Sequence, residues 1–167
     1  MTIETKIEGF RIRKAEKKDV PMVLDFIRKL AEYEKLTHEV VATEEKLEHY
    51  LFGREKAAEV VIGFYGDIPV GFALYFYSFS TFLAKPGIYL EDLFVLEEQR
   101  GKGFGKSLLS YLAREAVEKG YGRLEWAVLD WNEPAIEFYK SLGADMLDDW
   151  IVNRVCGKSL ADLAREF

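Results

Sequence analysis

The chain has 167 residues with 49% hydrophobic and 31% charged side chains, enough for one compact domain and far from the composition of a disordered protein. Its net charge of −6 counts against a general nucleic-acid binder, which needs a cationic face for phosphates, and suits cationic small molecules. No apolar run approaches the ~20 residues of a membrane span. The first nineteen residues are charged throughout with no apolar core of a leader, so the expectation is a cytoplasmic protein without membrane association.

The predicted elements run as follows. "GFRIRKA" (9–15) alternates as a short strand. "DVPMVLDFIRKLAEYEKL" (19–36) predicts a helix with Asp19 as cap and Pro21 in the first turn. Its apolar stripe is Val20, Val23, Leu24, Ile27, Leu30 and Ala31. "TEEKLEHYLFG" (43–53) predicts a second helix between Thr43 and Gly53. Two β-branched and aromatic runs, 57–65 and 69–80, form a hairpin around Gly66 and Asp67, and 87–98 is a further strand. Residues 103–120 predict a helix burying Leu108, Leu109, Leu112, Ala116 and Val117 and ending at Gly120. A strand (121–130), a short helix (132–143), a last strand "WIVNRVC" (150–156) with Cys156 as a packed thiol, and a helix (158–167) complete the chain. This order is α+β: a mixed sheet with helices packed against it.

The stretch "EDLFVLEEQRGKGFGKSLL" (91–109) carries the chemistry. A nucleotide-triphosphate loop needs GxxxxGK followed by Ser or Thr, but its first glycine falls on Arg100. A dinucleotide fingerprint GxGxxG fails at Lys106. Arg-x-x-Gly-x-Gly is met by Arg100, Gly103 and Gly105. Glycines there let the backbone curl around an anion, and the following helix start adds unpaired amides and a positive dipole end, which suits a pyrophosphate. His38 and His49 are too few for a metal site, and no Cys/His cluster has ligand spacing, so no metal is expected.

With these residues in place, the sequence resembles the GNAT N-acetyltransferase superfamily through "QRGKGFGKSLL" (99–109) and "LEWAVLDWNEPAIEFYKSLGA" (124–144). Through "LAEYEKL" (30–36), "YLEDLFV" (89–95) and "WNEPAIEFYKSLGA" (131–144) it resembles the diamine (spermidine/spermine and thialysine) acetyltransferases within it. The resemblance covers residues 9–156 and implies a single GNAT domain spanning the chain. Its mixed, mostly antiparallel sheet is splayed between two parallel strands, here 87–96 and 122–129, and flanked by helices.

What the resemblance implies about function is acetyl transfer from acetyl-CoA to a primary amine of a small cationic acceptor, a diamine, polyamine or lysine-like thialysine, by a homodimer. It implies a diphosphate cradle from the amides of Arg100, Gly101, Lys102, Gly103, Phe104, Gly105 and Lys106. Leu93, Phe94 and Val95 would meet pantetheine, the Leu93 amide polarising the thioester carbonyl. Asn132 would cap a helix that, with Glu133, Pro134 and Ala135, exposes amides to the cofactor. Tyr139 is implied as the acid at the departing sulfur and Glu91 as the base, through water. Asp92 is expected in a structural hydrogen bond or salt bridge. Acceptor contacts are implied for Tyr33, Glu34, Glu91, Glu125, Trp126 and Ala127, while "DMLDDW" (145–150) departs from the group in length and sequence. Other readings are a protein lysine or N-terminal acetyltransferase and a non-catalytic acetyl-CoA sensor. Glu91 and Tyr139 together count against the sensor, which needs neither.

Overall fold

In the computed structural model, which describes residues 2–167, the chain divides into two compact units, one ending at Ala127 and one beginning at Val128.

The first unit holds a six-stranded sheet in sequence order: β1 (Thr2–Glu4), β2 (Phe10–Lys14), β3 (Glu59–Tyr65), β4 (Ile68–Ser80), β5 (Lys85–Val95) and β6 (Leu124–Trp126). Every neighbouring pair is antiparallel except β5 and β6, which are parallel. Helices α1 (Val20–Tyr33) and α2 (Glu44–Phe52) cover one face. There Val23, Phe26 and Leu30 of α1 and Leu51 of α2 bury Val60, Ile62, Phe72 and Phe94. Helix α3 (Phe104–Glu118) covers the other, with Phe104 stacked on Phe10 at 4.3 Å and the Tyr75 hydroxyl donating to Glu115 at 2.8 Å. The second unit holds α4 (Glu133–Ser141) and α5 (Gly157–Ala164).

Local chemistry accounts for most of the boundaries. The Thr43 hydroxyl caps α2 by accepting from the Lys46 amide, and Gly53 closes it. Gly66, at φ 60°, makes the tight turn between β3 and β4. Pro21 lies in the first turn of α1 as expected, but Asp19 does not cap it through its side chain. Asp19 instead receives two bonds from Arg13, at 2.6 and 2.9 Å, and one from the Glu16 amide at 2.7 Å. Arg13 on β2 outcompetes the helix for this carboxylate because a bidentate guanidinium is the stronger donor.

Several expectations are corrected. Phe26, stacked on Phe72, joins the buried face of α1, and Ile27 is half-buried. Val117 is 78% exposed: it lies nine residues after Leu108, half a turn out of phase with the buried stripe. β6 is far shorter than 121–130, because β5 offers it a partner only from Ile88 to Leu90. "WIVNRVC" forms no strand, and Trp150, Ile151 and Val152 are 72%, 83% and 79% exposed. The run has β propensity but pairs with no strand among the described residues, and propensity without a partner does not make one. Cys156 is accordingly exposed rather than packed.

The Arg13–Asp19 pair yields a stability prediction. The Arg13 guanidinium holds the buried Asp19 carboxyl below the usual carboxylate range, so its stabilisation is present above the unfolded value and lost as pH falls through the folded one. Asp19→Asn should cost about 3 kcal/mol in urea unfolding at pH 7, with the gap to the parent closing on acidification below about pH 4. A gap independent of pH would show that the carboxylate charge is not what Arg13 holds.

Candidate active site

The loop after β5 begins with a 3-10 turn over Glu97–Gln99, in which the Arg100 amide donates to the Glu97 carbonyl at 3.1 Å. The Arg100 amide is therefore already used. From Gly101 onward the pattern changes: the amides of residues 101 to 106 donate to no carbonyl among the described residues, and the next bond is Ser107 to Gly103 at 2.9 Å. Gly101 and Gly103 sit at φ 77° and 83°, where an L side chain is strained, and Gly103 is the side-chain-free cap of α3. Gly105 lies inside the first turn of α3. A β-carbon there would meet only Val95, at 3.8 Å, so nothing within the protein forbids a side chain. A continuous run of bare N–H groups at a helix start is an anion site by construction.

Arg100 builds this loop rather than facing into it. Its Nε donates to the Val95 carbonyl at 3.0 Å, and its guanidinium lies over the Tyr33 ring at 4.4 Å and the Phe94 ring at 5.6 Å. Tyr33, the last residue of α1, is thus tied to the end of β5.

A bulge in β5 decides what the strand presents. Tyr75 pairs with Leu90 and Leu74 with Asp92, so Glu91 is the extra residue. β6 follows β5 only as far as Leu90–Trp126, which leaves the edge of residues 91–95 open. The Leu96 amide donates to Val70 of β4 at 2.9 Å and sets the phase. Counting back by two, Phe94 turns its peptide toward β4 while Leu93 and Val95 turn theirs to the open edge. The Val95 carbonyl is taken by Arg100, and the Leu93 N–H faces outward. Phe94, expected at the cofactor, instead serves the sheet with its backbone and the core with its ring.

The same bulge places the carboxylates. Strict alternation would send Asp92 to the face of Leu90 and α3. The extra residue puts it on the face of Tyr89 and Leu74, beside Glu34 at the C-cap of α1. Asp92 makes no hydrogen bond or ion pair among the described residues, contrary to expectation. Burial, then the charges of Glu91 and Glu34, push its carboxyl up to about 7. Burial also raises Glu34, whereas Glu91 is exposed at the bulge. Glu125 does not bring a free charge to this group, because Arg123 Nε lies 2.6 Å from its carboxylate. Trp126 is half-buried and Ala127 exposed at the end of β6.

In the second unit, Asn132 caps α4 as expected, its side chain accepting from the Ala135 amide at 3.4 Å. The helix start is otherwise closed. The Glu133 amide donates to Trp131, those of Ala135 and Ile136 donate to the Asn132 carbonyl, and Pro134 has none. The expected exposed amides at residues 133–135 are absent. Tyr139 is buried, its ring 5.3 Å from that of Phe138. Among the described residues, no group of three or more His, Cys, Asp or Glu side chains is placed to hold a metal ion. No helix among them is long and apolar enough to cross a membrane.

Against known proteins, the acetyltransferase (GNAT) family profile matches residues 24–144. This chain belongs to the GNAT acetyltransferase family. It is 34% identical to an L-ornithine N5-acetyltransferase of Arabidopsis thaliana, over 90% of this chain and 86% of that one. It is 36% identical to a thialysine N-epsilon-acetyltransferase of Mus musculus, over 92% of this chain and 96% of that one. Among solved structures, an integron cassette protein from the mobile metagenome of V. cholerae superposes with a TM-score of 0.79 at 28% identity, covering 94% of this chain and 98% of that chain. The mixed sheet with parallel β5 and β6 is the fold expected of a GNAT acetyltransferase.

The raised carboxyl of this acetyltransferase has a signed consequence. An Asp at about 7 in the fold and ~3.9 unfolded destabilises the protein increasingly as pH rises between those values. Asp92→Asn should therefore add up to about 4 kcal/mol of stability at pH 8 and almost nothing at pH 4, read from denaturant unfolding at both. An equal effect at both pH values would place the carboxylate in water.

Proposed function

We propose that this acetyltransferase moves the acetyl group of acetyl-CoA onto a primary amine of a small acceptor carrying two or more positive charges, such as a diamine, a polyamine or a lysine-like amine. One observation carries the reading: a run of bare amides begins after the single 3-10 turn that follows β5, the strand whose open edge presents the Leu93 N–H. Diphosphate and thioester carbonyl, the two polar parts that a thioester of this kind must anchor, each have a donor of matching type. The acetylated amines named for the Arabidopsis and mouse relatives, ornithine and thialysine, are both small cationic molecules. The carboxylates of Glu34, Glu91 and Asp92 supply the complementary charge.

Bound acetyl-CoA supplies an acyl carbon open to attack. The rest is proton handling by the protein. An alkylammonium has a pKa near ~10.4, so its proton must go before nitrogen can attack. Glu91, exposed at the bulge, takes it through water, and Asp92 beside it titrates at about 7, where a base at neutral pH is most useful. The Leu93 N–H donates to the carbonyl oxygen as negative charge develops there. Tyr139 is the proposed donor to the departing sulfur. Its support is its place in "NEPAIEFYKSLG" and the closeness of phenol and thiol pKa values. The proposed assembly is a homodimer, supported by the exposed apolar run Trp150–Val152, which a second copy would cover. Sedimentation at micromolar concentration should give twice the 19.3 kDa chain mass, and a monomer would end that assignment.

Acceptor and acid are tested together. In a CoA-release assay, polyamines, diamines or lysine analogues should turn over faster than lysine-containing peptides or peptide N-termini. Peptides leading the panel would replace this reading with a protein acetyltransferase. Tyr139→Phe should lower kcat at least tenfold while the Kd for acetyl-CoA stays within about twofold. Unchanged turnover would remove Tyr139 from the chemistry.

A further inference from the structure

Arg100 opens the glycine-loop motif, yet its side chain joins two other elements. Nε donates to the Val95 carbonyl at the end of β5, 3.0 Å away, and the guanidinium lies 4.4 Å from the centre of the Tyr33 ring at the end of α1. Arg100 makes no ion pair among the described residues, although Glu34 follows Tyr33 directly in the chain. Its charge is directed at the faces of Tyr33 and Phe94, which attract a cation through the ring quadrupole. Glu34 is left without a cation: its carboxylate has no ion pair or side-chain hydrogen bond among the described residues.

The end of α1 is where an outside hold matters. Leu30 and Ala31 are the last buried residues of the helix, Tyr33 and Glu34 are half-buried, and Lys35 is exposed. Lys35 lies at φ 61°, a left-handed conformation that glycine adopts freely and lysine does not. The amides of Lys35 and Leu36 donate back to the Glu32 and Ala31 carbonyls at 3.1 and 2.8 Å, so the helix closes abruptly around Glu34. A strained turn of this kind persists where neighbouring contacts over-determine it. Arg100 supplies one such contact from a different element.

We propose that Arg100 is a positioning residue for the amine acceptor: by holding the Tyr33 ring it fixes the Glu34 carboxylate for the amine, although it stands in the cofactor-binding motif. The assignment rests on the small-amine reading above and adds to it a side chain that tunes acceptor recognition without touching the acceptor.

Glutamine places its amide nitrogen where arginine has Nε, so Arg100→Gln keeps a donor for Val95 and removes only the guanidinium from Tyr33. Arg100 is exposed, so this variant should melt with the parent. Calorimetry reads the acetyl-CoA affinity. CoA release reads kcat and KM for spermidine or L-ornithine, whichever the parent acetylates faster. Arg100→Gln should raise the amine KM about fivefold, the worth of one cation–ring contact, with kcat and the Kd for acetyl-CoA within about twofold. Tyr33→Leu should do the same, and the double variant should be no worse than either. Tyr33→Phe, which keeps the ring, should match the parent. An unchanged amine KM, additive losses in the double variant, or a loss in Tyr33→Phe as large as in Tyr33→Leu would overturn the assignment. So would weaker acetyl-CoA binding by Arg100→Gln, which would give the arginine to the cofactor loop. A parent that acetylates neither amine would instead remove the small-amine reading, and this assignment with it.

Discussion

One extra residue in β5 sets what this strand presents at its open edge. Without the bulge at Glu91, period-two alternation would carry Asp92 to the α3 face and turn the Leu93 peptide toward β4. With it, a main-chain donor faces the edge that β6 leaves open, and a carboxylate comes to rest near Glu34. The rest of the first unit holds this strand still. The Phe94 ring packs against Phe26 in the core that also holds Phe72, and the Val95 carbonyl is held by Arg100, itself laid on Tyr33. The positions of the Leu93 N–H and of the carboxylates on β5 are thus fixed by core packing rather than by mobile loops.

Charge is distributed to match. The sequence carries an excess of acid, yet its positive groups collect where the amides of residues 101–106 are bare, and its half-buried carboxylates collect at the end of α1. The cationic amine and anionic thioester cofactor proposed here would be drawn to different places by the same field. The carboxylates also bear a cost: burial and mutual repulsion hold Asp92 at about 7, and a bound cationic acceptor of the kind proposed would offset that repulsion. Stability is given up there for readiness to bind, a pattern common at functional sites.

The parts legible in the sequence are those that depend on local chemistry. The Thr43 cap, the Gly66 turn, the glycine loop and the amphipathic phase of α1 are set by neighbours within a few residues. The parts that were not legible depend on a distant partner. A bulge leaves no mark in the residues that form it, so Glu91 and Asp92 read as simple alternation. Asp19 reads as a cap until Arg13 on another strand claims it. Residues 150–156 have the composition of a strand, but a strand requires an edge to pair with. The α4 amides looked available for the same reason: nothing in "WNEPAI" announces that Trp131 and Asn132 will consume them. Val117 and Phe26 were readable and misplaced, since the position of Val117 half a turn from Leu108, and of Phe26 between Val23 and Leu30, follows from helix geometry.

Amide-resolved NMR during titration with acetyl-CoA is the most direct test of this account. The main-chain N–H signals of residues 101–106 and of Leu93 should move furthest, with those of Glu133, Ala135 and Ile136 little changed by direct bonding, because their acceptors are already in place. If the largest shifts instead fall outside the α3 start and the open edge of β5, the cofactor is held by other groups and the site described here is not the one that works.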